Sequence, residues 1–191
     1  MPENLIITRA TAELGGLRLF YLDTTGEKPP ILCLHGRWGR SLTWLNFMRH
    51  YHDRYRIIAP DQRGHGLSDK PGSGYTPEQM ADDAHALLVH LGCESVIVVG
   101  HSMGGRIAAF LADRHPEIVK ALAILDVSAA DPYADDPAAK PVGDEDIGTK
   151  DWPTPFPTYQ HAADFLKAMF GRFTNVRYFL DSLVETPEGF D

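Results

Sequence analysis

Apolar positions in this chain change spacing several times, and each change marks an element. Residues 5–11 and 17–22 are short β-rich runs divided by Gly15 and Gly16, which predicts an antiparallel hairpin, closed by turn-forming residues over 24–30. Residues 30–34, 55–59, 95–99 and 121–125 are nearly unbroken apolar runs, the pattern of strands buried on both faces. Helical stripes alternate with them. Leu42, Leu45, Phe47, Met48 and Tyr51 predict a helix over 41–53, with Ser41 as its N-cap. Met80, Ala84, Leu87, Leu88 and Leu91 follow a capping box, Thr76-Pro77-Glu78-Gln79, and Gly92 stops that helix. A third helix runs from Met103 to about Arg114 and ends before Pro116.

Strands alternating with helices predict an α/β fold, with a mostly parallel sheet covered by helices on both faces. Ligands of such sheets bind at the carboxyl ends of the strands. Residues 1–128 read as this core, and 129–191 as an irregular acidic excursion followed by a partial helical lid. In the lid, residues 159–170 and 176–184 predict two helices, with Phe165, Leu166, Met169 and Phe170 in the first and Tyr178, Phe179 and Leu183 in the second.

Chemistry concentrates at three strand ends. The run over 95–99 enters Gly100-His101-Ser102-Met103-Gly104, a G-x-S-x-G between a strand and a helix. A strand turning sharply into a helix lifts one side chain onto the tip of the turn, and the flanking glycines remove Cβ atoms that would collide there. Ser102 is therefore the candidate nucleophile. The other two strand ends carry His35-Gly36-Arg37-Trp38-Gly39 and Asp61-Gln62-Arg63-Gly64-His65-Gly66-Leu67-Ser68.

These three motifs, in this order, resemble the α/β-hydrolase family and its capped, esterase-like members, closely from Leu5 to Val127 and loosely beyond. The resemblance implies an oxyanion hole made by the backbone N–H groups of Arg37 and Met103. Two preorganised donors of that kind lower an acyl-transfer barrier by about 3–4 kcal/mol each. Gly36, Trp38 and His101 would surround the substrate, Trp38 as a pocket wall or simply as a packed aromatic. His35 and His65 hold their loops by hydrogen bonds, and His101 turns to the opposite side of the elbow. Relatives with Asp at the elbow are epoxide hydrolases and haloalkane dehalogenases. Ser102 implies instead an acyl-enzyme formed from an ester, thioester, lactone, amide or activated C–C substrate.

In that family the base is a His after the last strand, and the acid usually follows the preceding one. Asp126, at a strand end, is the candidate acid. His115 and His161 do not suit the base, and the run at 121–125 is left as an apolar edge. The expectation is a portion of a longer hydrolase that by itself turns over little, since losing the base of such a triad costs about 10⁶ in rate. The alternatives are a non-catalytic ligand-binding homologue and a cofactor-free perhydrolase that uses the same serine.

Composition narrows the partners. With 191 residues, 43% hydrophobic and 23% charged, the chain can build one good core. Its net charge is −8, and the excess lies in the tail, with 12 acidic and 5 basic residues from Asp131 onward. An acidic chain without a basic stripe predicts no nucleic-acid partner and no anionic membrane surface. MPENLIITRA lacks a charged leader segment, and no apolar run is long enough to span a bilayer. A small-molecule substrate, no cofactor, no metal and a cytoplasmic location are expected. Cys33 and Cys93 lack metal-ligand spacing and read as reduced core thiols.

Overall fold

A computed structural model describes residues 5–126, 152–170 and 176–191, so the irregular acidic excursion expected at 129–157 lies outside the described residues up to residue 151. The chain divides into two compact units between Val127 and Ser128.

In the first unit the strands are β1 (Thr8–Leu14), β2 (Leu17–Asp23), β3 (Pro30–Leu34), β4 (Arg56–Pro60), β5 (Val96–His101) and β6 (Val119–Leu125). They form one sheet in the order β1-β2-β4-β3-β5-β6. The hairpin β1/β2 joins β4 antiparallel, and β4, β3, β5 and β6 are mutually parallel. Helices α1 (Leu45–Tyr51), α2 (Pro77–His90) and α3 (Met103–Arg114) cover it.

Strand alternation assigns the two faces. Leu32, Leu34, Ile58, Val96 and Val98 pack with Met80, Ala84, Leu87 and Leu88 of α2 and with Ile107 and Leu111 of α3. Their neighbours Ile31, Cys33, Ile57, Ala59 and Val99 pack with Trp44 and Met48 on the other side. Helices on both faces are thus confirmed, and the apolar runs are apolar throughout because consecutive residues enter different cores. Each fully buried Leu or Ile adds about 1.5–3 kcal/mol.

Several boundaries differ from expectation. β1 lies at Thr8–Leu14 rather than 5–11, because Leu14 pairs with Leu17 directly across the turn. Gly15 and Gly16 have φ of 60° and 94°, the double positive φ that a two-residue hairpin turn of matching twist requires. Ser41 is not an N-cap. Its N–H donates to the Asp61 carboxylate at 2.6 Å, and residues Ser41–Trp44 form a 3₁₀ turn ahead of a shorter α1. The cap of that segment is supplied from a distant loop, which local sequence does not reveal. Thr76 does cap α2, accepting the Gln79 N–H at 3.3 Å.

The second unit holds α4 (Tyr159–Phe170), as expected, and α5 (Val176–Leu180), shorter than expected. After α5 the chain forms a small hairpin of β7 (Glu185–Thr186) and β8 (Gly189–Phe190), which sequence reading missed. Trp152 sits edge-on to Phe165, Phe170 and Phe179, and Phe156 and Leu166 are fully buried, whereas Met169 is exposed. No helix among the described residues is long and apolar enough to cross a membrane.

β6 has one sheet neighbour among the described residues. Its Leu122, Ile124 and Leu125 are 38%, 37% and 45% exposed, the apolar edge expected from the sequence. Cys33 and Cys93 are buried free thiols, and burial raises the pKa of each.

Candidate active site

β4, β3 and β5 are adjacent and parallel, so their carboxyl ends stand side by side. The chain passes from β3 outward to β4 and then crosses to β5 on the other side of β3. A reversal of that kind opens a crevice at the strand ends. The loops after all three strands border it.

Ser102 occupies the junction between β5 and α3 with φ 51° and ψ −118°, a sparsely populated conformation for a residue with a side chain. Backbone hydrogen bonds hold it there. Its N–H donates to the Leu125 carbonyl of β6 at 2.9 Å, and its own carbonyl accepts the Gly105 N–H at 2.8 Å. Below it, a Cβ on Gly104 would overlap the carbonyls of Leu34 and His35, and one on Gly100 would overlap the Gly104 backbone. The glycines of the motif therefore let β3, β5 and the start of α3 approach backbone to backbone. That approach brings Leu34 and His35, which lead into the loop of Gly36, Arg37 and Trp38, against the start of α3 at Gly104.

The first loop is itself a tight turn, with the Gly39 N–H bonded to the Gly36 carbonyl at 3.0 Å and Trp38 at φ 61°. His35 is fully buried. Its Nε2 accepts the Gln62 N–H at 3.0 Å, so Nδ1 carries the proton and donates it to the Gly36 carbonyl at 2.9 Å. The Gln62 side-chain amide returns a bond to the His35 carbonyl at 2.7 Å. Burial, helped by the neighbouring His65 ring, pushes the His35 pKa well below its ordinary value and keeps it neutral. His65 is lowered too, mainly by burial, and its Nδ1 faces the Arg63 carbonyl at 3.0 Å. His35 ties the first loop to the second through Gln62, and His65 bonds within its own loop; both thus hold loops by hydrogen bonds, as expected.

The second loop is braced by Asp61, which is fully buried. One carboxylate oxygen accepts Ser41 N–H and the other accepts Leu67 N–H at 2.8 Å. Ser68 donates its hydroxyl to the Asp61 carbonyl and accepts the Phe20 N–H at 2.8 Å. The sequence singled out this loop as a motif but not Asp61 as its keystone. An Asp closing a strand run, with Gly64 and Gly66 between it and Leu67-Ser68, was the available signal.

Asp126, directly after β6, has φ 56° and a carboxylate that is 86% exposed. It lies 3.6 Å from His101 Nε2, so the candidate acid stands beside the residue that precedes the candidate nucleophile. His115 lies at the far end of α3, and His161 belongs to the second unit, where it faces the Thr158 hydroxyl at 2.8 Å. A cavity of about 220 Å³ opens beside the Asp61 loop, lined by Phe20, Leu22, Leu42, Leu45 and Leu67 among others; Ser102 is not in its wall.

The sequence profile described as the alpha/beta hydrolase fold matches residues 29–180. The chain belongs to the α/β-hydrolase fold family. A soluble epoxide hydrolase from Corynebacterium sp. (strain C12) is 38% identical over 122 residues, covering 63% of this chain and 42% of that protein. The 2-(acetamidomethylene)succinate hydrolase of Mesorhizobium japonicum is 40% identical over 101 residues, covering 53% and 36%. Among solved structures, epoxide hydrolase CorEH without ligand superposes with a TM-score of 0.65 at 34% identity, covering 72% of this chain and 47% of that one. This α/β-hydrolase chain thus spans less than half the length of these relatives.

Proposed function

We propose that Ser102 is the nucleophile of a hydrolase that cleaves a small acyl compound through an acyl-enzyme. The observation that carries the reading is the Ser102 backbone, held at φ 51° where β5 meets α3. A serine fixed there presents Oγ to the crevice at the strand ends. Attack on an acyl carbon forms the Oγ–C bond and moves the carbonyl electron pair onto oxygen while a general base, to which no residue is assigned here, takes the hydroxyl proton and returns it to the leaving group. The N–H groups of Met103 and Arg37 are the donors assigned to that oxygen. Collapse expels the leaving group, and water then attacks the acyl-serine, restoring the hydroxyl and releasing the acid.

Epoxide opening, the activity in the name of one relative, is disfavoured by the same residue. A serine attacking an epoxide carbon would leave an ether, which a water step does not release, whereas a carboxylate nucleophile leaves a hydrolysable ester. The second relative's name describes an acetamido compound, and an amide is an acyl substrate. Asp126 is the carboxylate assigned to the acid position. His35 is excluded as the base, because both its ring nitrogens are engaged.

Two measurements on the protein test this: turnover of p-nitrophenyl acetate, and covalent labelling by a fluorophosphonate, mapped by mass spectrometry. The expected label is on Ser102 and is lost in Ser102→Ala, while turnover by this chain is low for want of an assigned base, and whatever there is depends on Ser102. Turnover that survives in Ser102→Ala, or a label elsewhere, overturns the assignment.

A further inference from the structure

At the opposite end of α3 from Ser102, about 18 Å along the helix axis, lies a group of side chains that the hydrolase reading does not use. His85 projects from the middle of α2, His115 follows the last turn of α3, and Glu117 lies two residues on. One ligand atom from each of the three falls within 4.8 Å of the others. We propose that His85, His115 and Glu117 bind a single borderline divalent transition-metal ion, of which Zn²⁺ is the representative, and that the ion staples α2 to the turn leading into β6.

The donor set is the first support. Two imidazoles and one carboxylate form a nitrogen-rich triad that suits zinc and its neighbours and does not suit calcium or magnesium, which take oxygen. The second support is the orientation of His115. Its Nδ1 lies 3.7 Å from Glu117 Oε1, while its Nε2 faces Asp82 Oδ1 at 3.6 Å. With Nδ1 on the metal, Nε2 carries the proton and points it at Asp82. That is the carboxylate–histidine–metal relay in which an outer acid fixes the tautomer of a ligating ring. Asp82 is already held for the role, accepting two bonds from Arg114 at 2.9 and 3.0 Å. The third support is that His115 Nε2 is buried and has no hydrogen-bond partner among the described residues. Orphaned buried polar atoms are uncommon; ligation through Nδ1 fixes the proton on Nε2, where Asp82 at 3.6 Å is the acceptor it faces.

The rings of His85 and His115 are stacked, with centroids 3.6 Å apart and planes inclined by 5°. In-plane lone pairs of stacked rings run parallel rather than converge, so ligation requires one ring to tilt out. His85 makes no hydrogen bond among the described residues and is the ring that tilts.

The test is a titration of the chelator-treated protein with Zn²⁺, read by calorimetry and by the thermal unfolding midpoint, and repeated with Co²⁺ for its visible absorption. The expected result is one ion per chain with a rise in Tm, and Co²⁺ bands of a low-coordinate nitrogen and oxygen site. His85→Asn and Glu117→Gln each weaken binding by about tenfold or more. His50→Asn, an exposed histidine on α1, leaves it unchanged. Both ligand positions are partly or fully exposed, so these variants keep the fold, which circular dichroism checks. Absence of saturable binding in the wild-type chain overturns the site, as does affinity that survives in the His85→Asn, Glu117→Gln double variant.

Discussion

Arg63 grips Asp83 with both arms of its guanidinium. Nη2 donates to Oδ1 at 2.6 Å while Nε donates to Oδ2, and the two side chains are only 10% and 11% exposed. The pair fastens the loop after β4 to α2. The hydrogen bonds that the guanidinium donates to Asp83 hold its pKa above the ordinary value, so Arg63 stays charged. Arg63→Ala strands a buried carboxylate and is expected to destabilise the protein by about 3–5 kcal/mol. Arg63→Met combined with Asp83→Leu recovers most of that loss. Urea unfolding of the two variants measures the difference, and equal losses would refute the ion-pair account.

Gly104→Ala forces a methyl group into the carbonyls of Leu34 and His35, which belong to backbone and have little room to give. A loss of about 1–3 kcal/mol is expected, together with a fall in any Ser102-dependent labelling. Gly72→Ala meets nothing within 4 Å and is the matched control, expected within about 0.5 kcal/mol of wild type. Chemical denaturation of both proteins checks the contrast.

His35 and His65 have folded-state pKa values below the unfolded value of about 6.5. Above that pH both rings are neutral in the folded and the unfolded chain, and stability is at its full value. As pH falls below it, the unfolded chain takes up protons that the folded one refuses. Stability then drops by up to about 1.4 kcal/mol per pH unit for each histidine, until the buried ring itself protonates. Unfolding free energy measured from pH 7.5 downward should show this slope, and His65→Asn should flatten it.

The apolar edge at β6 gives a prediction about association. Exposed, flat, apolar edge strands pair with other chains unless a charge interrupts them. Leu122→Lys, at a position already 38% exposed, is expected to lower self-association at little cost in stability. Sedimentation velocity at several concentrations decides it.

Much of the core and of the elbow could be read from sequence because their signals are local. β5 and α3 announce themselves by an apolar run, a Gly-x-Ser-x-Gly and a small-residue helix start. The cap of the 3₁₀ turn could not be read, since Asp61 reaches Ser41 from a loop after a different strand. The β7/β8 hairpin escaped for the opposite reason. Its strands are two residues each, closed by Val184 and Asp191, which exchange backbone hydrogen bonds at 2.7 and 3.0 Å, and bridged to Phe156 through Phe190, so no periodicity marks it. The His85, His115 and Glu117 group likewise exists only once α2 and α3 are packed, and no ligand spacing in the sequence foreshadows it.

The bond from the Ser102 N–H to the Leu125 carbonyl has a consequence for how charge is handled in the crevice. A nucleophile whose own amide is committed to a neighbouring strand has no amide left for a developing oxyanion. That duty falls to the next residue, Met103, whose N–H is the first of α3 and has no carbonyl within the helix to receive it. In the proposed mechanism β6 thus selects which peptide group polarises a substrate, and a change at the strand edge that loosened Leu125 is expected to alter the electrostatics of catalysis without touching a side chain in the crevice.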